Sequence, residues 1–151
     1  DGRMSEWLSQ QVHSRGLNNV LLLGRHPLEE MPGLFASADA LLVSLKTNDV
    51  FEKTIPGKVQ AYLASGRPLL GMINGEAARV IDDSGAGFTC ASGDASGLAS
   101  ITLALAKTDV VKLKAMGQSG RQYYLSNYSK PLLLARLEDL FRNATLRKAT
   151  R

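Results

Sequence analysis

The stretch Thr54 to Pro68, TIPGKVQAYLASGRP, decides the fold. It reads as a short helix with both ends specified. Pro56 suits the first helical position, where its missing N–H is no loss. Gly66 suits the left-handed position just past the last turn, and Pro68 blocks any restart. Between them Val59, Tyr62 and Leu63 recur at helical spacing and form a stripe for a core. At the start, Gly57 brings no side chain and Lys58 brings a cation, so backbone amides and positive charge converge. Proteins hold phosphate in that way. The other reading of these residues is an ordinary capped helix with a solvated lysine.

Helix and strand patterns alternate on both sides of this stretch. Met4 to Ser14 is expected to be a helix with Trp7, Leu8 and Val12 inward, closed by Gly16. Val20 to Leu23, ended by Gly24, has the pattern of a buried parallel strand. Pro27 to Ala38 reads as helical but broken at Pro32, with Met31, Leu34 and Phe35 on its apolar face. Ala40 to Ser44 is the next strand, followed by a polar loop through Lys53. Beyond the central helix come a strand at Leu69 to Met72, a loop at Asn74-Gly75, a helix at Ala77 to Asp83 and a last strand at Gly87 to Cys90. From Asp94 onward the period is helical, with stops near Thr108, Gly117 to Gly120 and Asn127. The last helix is expected over Lys130 to Asn143, with Leu133, Leu134, Leu137, Leu140 and Phe141 as its buried face.

Short, doubly buried strands alternating with helices predict an α/β fold, a Rossmann-like open parallel sheet with helices on both faces. Ligands in such folds bind beyond the carboxyl ends of the strands. The loops at Gly24-Arg25, Ser44 to Ile55 and Ile73 to Glu76 are expected on that edge, around the start of the central helix. The helix terminus contributes up to about 2 kcal/mol for a bound anion. Hydrogen bonds from Lys58 to charged oxygens add roughly 1.5–3 kcal/mol.

Composition narrows the class. The chain has 151 residues, 44% hydrophobic and 21% charged, as in a globular protein. One domain of that size buries roughly 70% of its unfolded surface. No apolar run approaches the roughly 18 residues of a membrane span, and no signal-peptide pattern opens the chain. The single Cys90 excludes an internal disulfide and fits a reducing compartment. His13 and His26 have no Cys or carboxylate cluster at ligand spacing, so no metal is expected. The net charge of +4 is uneven: Arg142, Arg147, Lys148 and Arg151 crowd the end, and residues 144–151 read as a basic tail. Such a tail could approach anionic lipid or nucleic acid. Without interleaved aromatics or a DNA-reading motif, a solvated terminus is the better reading and no nucleic-acid partner is expected.

Several motifs together resemble a known family. Asp1-Gly2, Asn19-Val20-Leu21-Leu22-Leu23-Gly24-Arg25, Glu30-Met31-Pro32, Ala38-Asp39-Ala40 and Ser65-Gly66-Arg67-Pro68 are similar to the C-terminal half of retaining GT-B glycosyltransferases, family 4. The resemblance runs from the first residue to about Asn143. The TIPGK variant with Gln and Tyr is similar to a subgroup that builds bacterial O-antigen or capsular polysaccharide. That resemblance implies a nucleotide diphosphate sugar as donor and a lipid-linked glycan as acceptor. It also implies a cytoplasmic location, peripheral at the inner face of the bacterial plasma membrane.

Carried onto this sequence, the resemblance places the donor diphosphate at Pro56, Gly57 and Lys58, with Thr54 a further substrate-binding candidate. Gln60 takes the position of a family Glu that holds the ribose hydroxyls, and an amide can still hydrogen-bond them. Glu52, eight residues earlier, falls where a first Glu would face the donor sugar; an exposed loop carboxylate is its other reading. Arg25 resembles the position beside the nucleobase, with an ordinary surface arginine as its other reading, and Glu76 is a further, weaker candidate in the Gly75 loop. The family chemistry needs neither metal nor separate cofactor. Glu52 and Lys58 are thus the catalytic candidates, with Lys58 stabilising the leaving diphosphate. The family's Gly before the Asp-Gly pair, its early phosphate-gripping basic residues and its acceptor domain find no match. The chain is therefore expected to be a piece of a longer enzyme, inactive alone, with an incomplete or rearranged sheet that associates with itself or another chain. A non-catalytic nucleotide-binding or interaction module on the same fold is the alternative.

Overall fold

The computed structural model describes residues 2–47 and 49–149. They fall into two compact units, Asp1–Leu34 and Phe35–Arg151. In the first unit, α1 (Ser5–Ser14) starts where the Ser5 hydroxyl donates to the Gly2 carbonyl at 2.8 Å. It ends at Gly16, whose φ of 60° suits a residue without Cβ. The expected inward face is not buried: Trp7 and Leu8 are exposed and Val12 is half-buried.

Val20 to Leu23 is not the predicted strand. The run is irregular and exposed, Leu21 to 78%. An apolar run becomes a strand only where a neighbour offers a ladder for its N–H and C=O groups. The described residues of this unit contain no second strand. A 3-10 turn at Leu28–Glu30 follows, with His26 Nδ1 2.8 Å from the Glu30 carboxylate. It leads into α2 (Met31–Ser37), which places Pro32 in the first helical turn, where it is tolerated.

The second unit carries the parallel sheet of β1 (Leu41–Ser44), β2 (Leu69–Met72) and β3 (Gly87–Cys90), in that order. Leu41 pairs with Leu69, and Leu69 with Gly87. Helices α4 (Gly57–Ser65), α5 (Glu76–Asp83) and α6 (Ala95–Ala106) flank the sheet, as the alternation predicts, while α7 (Val110–Asn127) packs on α4 and α8 (Lys130–Ala149) on α7. The core joins Val43, Leu69 and Ile73 of the sheet layer to Val59 and Leu63 of α4 and to Ala77, Val80 and Ile81 of α5. Val59 and Leu63 of the predicted stripe are fully buried, and Tyr62 packs edge-on against Phe35 with centroids 5.1 Å apart. Leu70 turns to the other face, on which α6 packs with its buried Leu105. Leu42, level with Leu70 on that face, is 49% exposed.

Three further expectations change. The segment read as a polar loop through Lys53 contains a one-turn helix, α3 (Asp49–Glu52). Gly117 and Gly120 do not stop a helix. They lie buried inside α7, where a Cβ on Gly117 would sit 2.0 Å from the Gly66 carbonyl and one on Gly120 2.8 Å from Ala86 Cβ. These glycines let α7 approach α4, and the packing offsets their poor helix propensity. The last helix continues past Asn143 to Ala149, and its apolar face is not buried. Leu133, Leu134, Leu137, Leu140 and Phe141 are all exposed, Phe141 to 64%. Periodicity sets which residues share a face but not whether anything covers it. Of the basic residues assigned to a tail, the side chains of Arg147 and Lys148 and all of Arg151 lie outside the described residues.

Candidate functional site

The carboxyl ends of β1, β2 and β3 feed three loops, and α4 starts at the same edge because it returns the chain from β1 to the parallel β2. Pro56 stands one position earlier than predicted. It is the N-cap (φ −59°, ψ 142°), and Gly57 is the first helical residue. The shift follows from the extended ψ at Pro56, with the Pro56 carbonyl accepting from Val59 N–H at 2.9 Å. Proline has no side-chain oxygen, so no side chain caps the first turn. Gly57 and Lys58 are exposed, and no atom outside the local chain stands within 4 Å of a Cβ built on Gly57. The rim is open, and its helix dipole favours an anion. At the other end, Gly66 takes the left-handed conformation (φ 72°) and its N–H returns to the Leu63 carbonyl at 3.1 Å, as the sequence implied.

The candidates divide by place. Thr54, Pro56, Gly57, Lys58 and Gln60 belong to the entry and first turn of α4; Gln60 is half-buried and Thr54 is exposed but partnered. Glu52 closes α3, half-buried, its Oε1 3.5 Å from Asn74 Nδ2. The same Nδ2 lies 3.4 Å from the Thr47 hydroxyl. The loops at Ser44 to Ile55 and Ile73 to Glu76 therefore meet, as expected of one edge. Gly75 (φ 72°, ψ −148°) lies against the Glu52 backbone, where a Cβ would come 2.1 Å from the Glu52 carbonyl oxygen. Glu76 pairs instead with Arg79 at 2.5 Å on an exposed surface, an interaction of little worth. Arg25 belongs to the first unit, next to Gly24 with φ 77°.

Asn74, Ser92 and Tyr128 were not among the candidates read from the sequence. Asn74 read only as half of a turn dipeptide. Ser92 donates its backbone N–H to Asn74 Oδ1 at 3.0 Å and its hydroxyl to the Leu45 carbonyl. Tyr128, past α7, has its phenol pushed up by burial, by the neighbouring Tyr123 and by Glu76, with Arg79 opposing. Cys90, at the end of β3, has its thiol pushed up by burial and then by Asp94.

A separate cavity of about 180 Å³ lies at the opposite, amino-terminal edge, among Asp39, Arg67, Val110 and Lys114. It abuts the carbonyl end of α4, where the dipole disfavours anions, so it does not compete for a diphosphate. Among the described residues no group of three or more His, Cys, Asp or Glu could hold a metal, and no helix is long and apolar enough to cross a membrane.

Comparison with known proteins follows the same line. The family of glycosyl transferases group 1 matches residues 1–108, most of the chain. The chain belongs to that family. It is also similar to the "Probable glycosyltransferase WbjE" of Pseudomonas aeruginosa, 30% identical over 136 residues, which is 89% of this chain and 33% of that protein. The chain thus spans about a third of the length of that relative.

Proposed function

We propose that the chain is the donor-binding half of a retaining glycosyltransferase. It takes a sugar from a nucleotide diphosphate, UDP-linked, for transfer to a lipid-linked glycan of bacterial surface polysaccharide. The observation that carries this reading is the uncapped, exposed start of α4 at the carboxyl edge, with Lys58 in its first turn. Family membership supports sugar transfer in general.

The diphosphate accepts hydrogen bonds from first-turn amides and from the Lys58 ammonium. As the bond to the anomeric carbon breaks, negative charge grows on the departing diphosphate, and the same groups stabilise it. Gln60, one position beyond Val59, hydrogen-bonds the ribose, and Glu52 faces the sugar. A second domain supplies the acceptor side, so the 151-residue chain binds donor without turning it over. Peripheral association with the inner face of the plasma membrane belongs to the same reading.

Isothermal titration of UDP into the chain, with and without Lys58→Ala, tests it. Loss of the ammonium contacts should weaken binding by about tenfold or more. Equal affinity for UDP in both proteins would remove the site. Sugar transfer by the isolated chain would contradict the division of labour.

A further inference from the structure

We propose that Asn74 is a positioning residue that holds the Glu52 carboxylate in place by tying together three loops of the sheet edge. This rests on the reading of Glu52 as facing the donor sugar. Asn74 follows β2 directly, and its side chain reaches both neighbouring loops. Oδ1 accepts from the Ser92 N–H at 3.0 Å, in the turn after β3. A backbone N–H can only donate, so this bond fixes which end of the amide points where. Nδ2 must then face the loop after β1, with Glu52 Oε1 at 3.5 Å and the Thr47 hydroxyl at 3.4 Å.

Two donor hydrogens meet two acceptors, one of them a carboxylate that can only accept when ionised. The Ser92 hydroxyl donates to the Leu45 carbonyl and closes the triangle. Gly75, next in sequence, has its backbone against that of Glu52, so the loops approach too closely for a side chain there. Asn74, Ser92 and Glu52 are all half-buried, where such bonds are less screened than at the surface. Neither the fold core nor the α4 anion site uses this network.

The pair can be tested by exchange. Asn74→Asp keeps the acceptor for Ser92 and the side-chain shape but turns an oxygen toward Glu52. Adding Glu52→Gln restores a donor opposite it. The chain and the three variants (N74D, E52Q and both) are melted at pH 7 and pH 4. N74D is expected to lower Tm at pH 7 by about 2–6 °C. The double variant should recover at least half of that loss. The N74D deficit should also shrink at pH 4, where one of two facing carboxyls takes a proton.

Turnover of a panel of UDP-sugars by the full-length protein supplies the second readout. N74D should lower kcat about tenfold with donor KM little changed. A double variant that melts no higher than the single losses sum to would overturn the proposal. Full turnover by E52Q, with the coupling in Tm intact, would instead refute the donor role of Glu52 and leave its tether to Asn74 standing.

Discussion

Replacing Gly75 with alanine separates two costs that the structure assigns to one position. The backbone there has φ 72° and ψ −148°, a region that glycine alone occupies readily. Holding alanine in it costs about 1–3 kcal/mol. The added Cβ would also stand 2.1 Å from the Glu52 carbonyl oxygen and 2.6 Å from its Cα. Both are backbone atoms, so relief means moving the loop that carries Glu52, about 1–3 kcal/mol more. Gly93 is the matched control: its φ is 80°, yet nothing stands within 4 Å of its Cβ position. Alanine there pays strain alone, about 1–2 kcal/mol. In urea denaturation, with a slope of about 2 kcal/mol per M, Gly75→Ala should lower the midpoint by about 1–3 M and Gly93→Ala by under about 1 M. The excess measures the crowding of Gly75 against Glu52. Equal midpoints for the two variants would refute the close approach of these loops.

Other consequences are simpler to state. Leu63→Ala, in the fully buried α4 stripe, should cost about 2–5 kcal/mol in the same assay, while Leu134→Ser on the exposed face of α8 should stay within about 0.5 kcal/mol. Light scattering should show self-association through the exposed apolar residues of α8, reduced by Leu140→Glu with Phe141→Glu; a monodisperse wild-type monomer would contradict this. Cys90 should be alkylated by iodoacetamide with a midpoint at higher pH than a free cysteine, because burial and Asp94 both penalise its thiolate. Burial likewise raises the Tyr62 phenol. The unfolded chain releases that proton first, so the stability it carries is present below pH 10 and lost as pH rises further. Tyr62→Phe should flatten the fall in Tm above that pH.

The parts of the fold that were legible are those fixed by local chemistry. Gly66 and Pro68 end α4 through backbone geometry alone, and Val59 and Leu63 mark its buried face whatever surrounds them. The β2 and β3 strands were found because each is short, apolar and closed by turn residues. Val20 to Leu23 has equal credentials and fails, since strand formation depends on a partner that the run itself does not encode. The leucines of α8 fail for a related reason: a stripe predicts a preference for burial, and the described residues leave it uncovered. Gly117 misled in the opposite sense. Its value lies in the 2.0 Å between a hypothetical Cβ and the Gly66 carbonyl, a tertiary distance invisible along the chain. At the candidate site, the helix start at Gly57 and Lys58 was readable to within one position because a proline-glycine entry is a local feature. Asn74 was not, because its three partners are scattered from Thr47 to Ser92.

The central claim is that a diphosphate sits on the first turn of α4, and amide chemical shifts test it residue by residue. On titration of UDP into ¹⁵N-labelled chain, the Gly57, Lys58 and Val59 amides should shift most, and Lys58→Ala should abolish or strongly reduce those shifts. Shifts centred instead on Arg67 and Lys114, at the far end of the same helix, would contradict it.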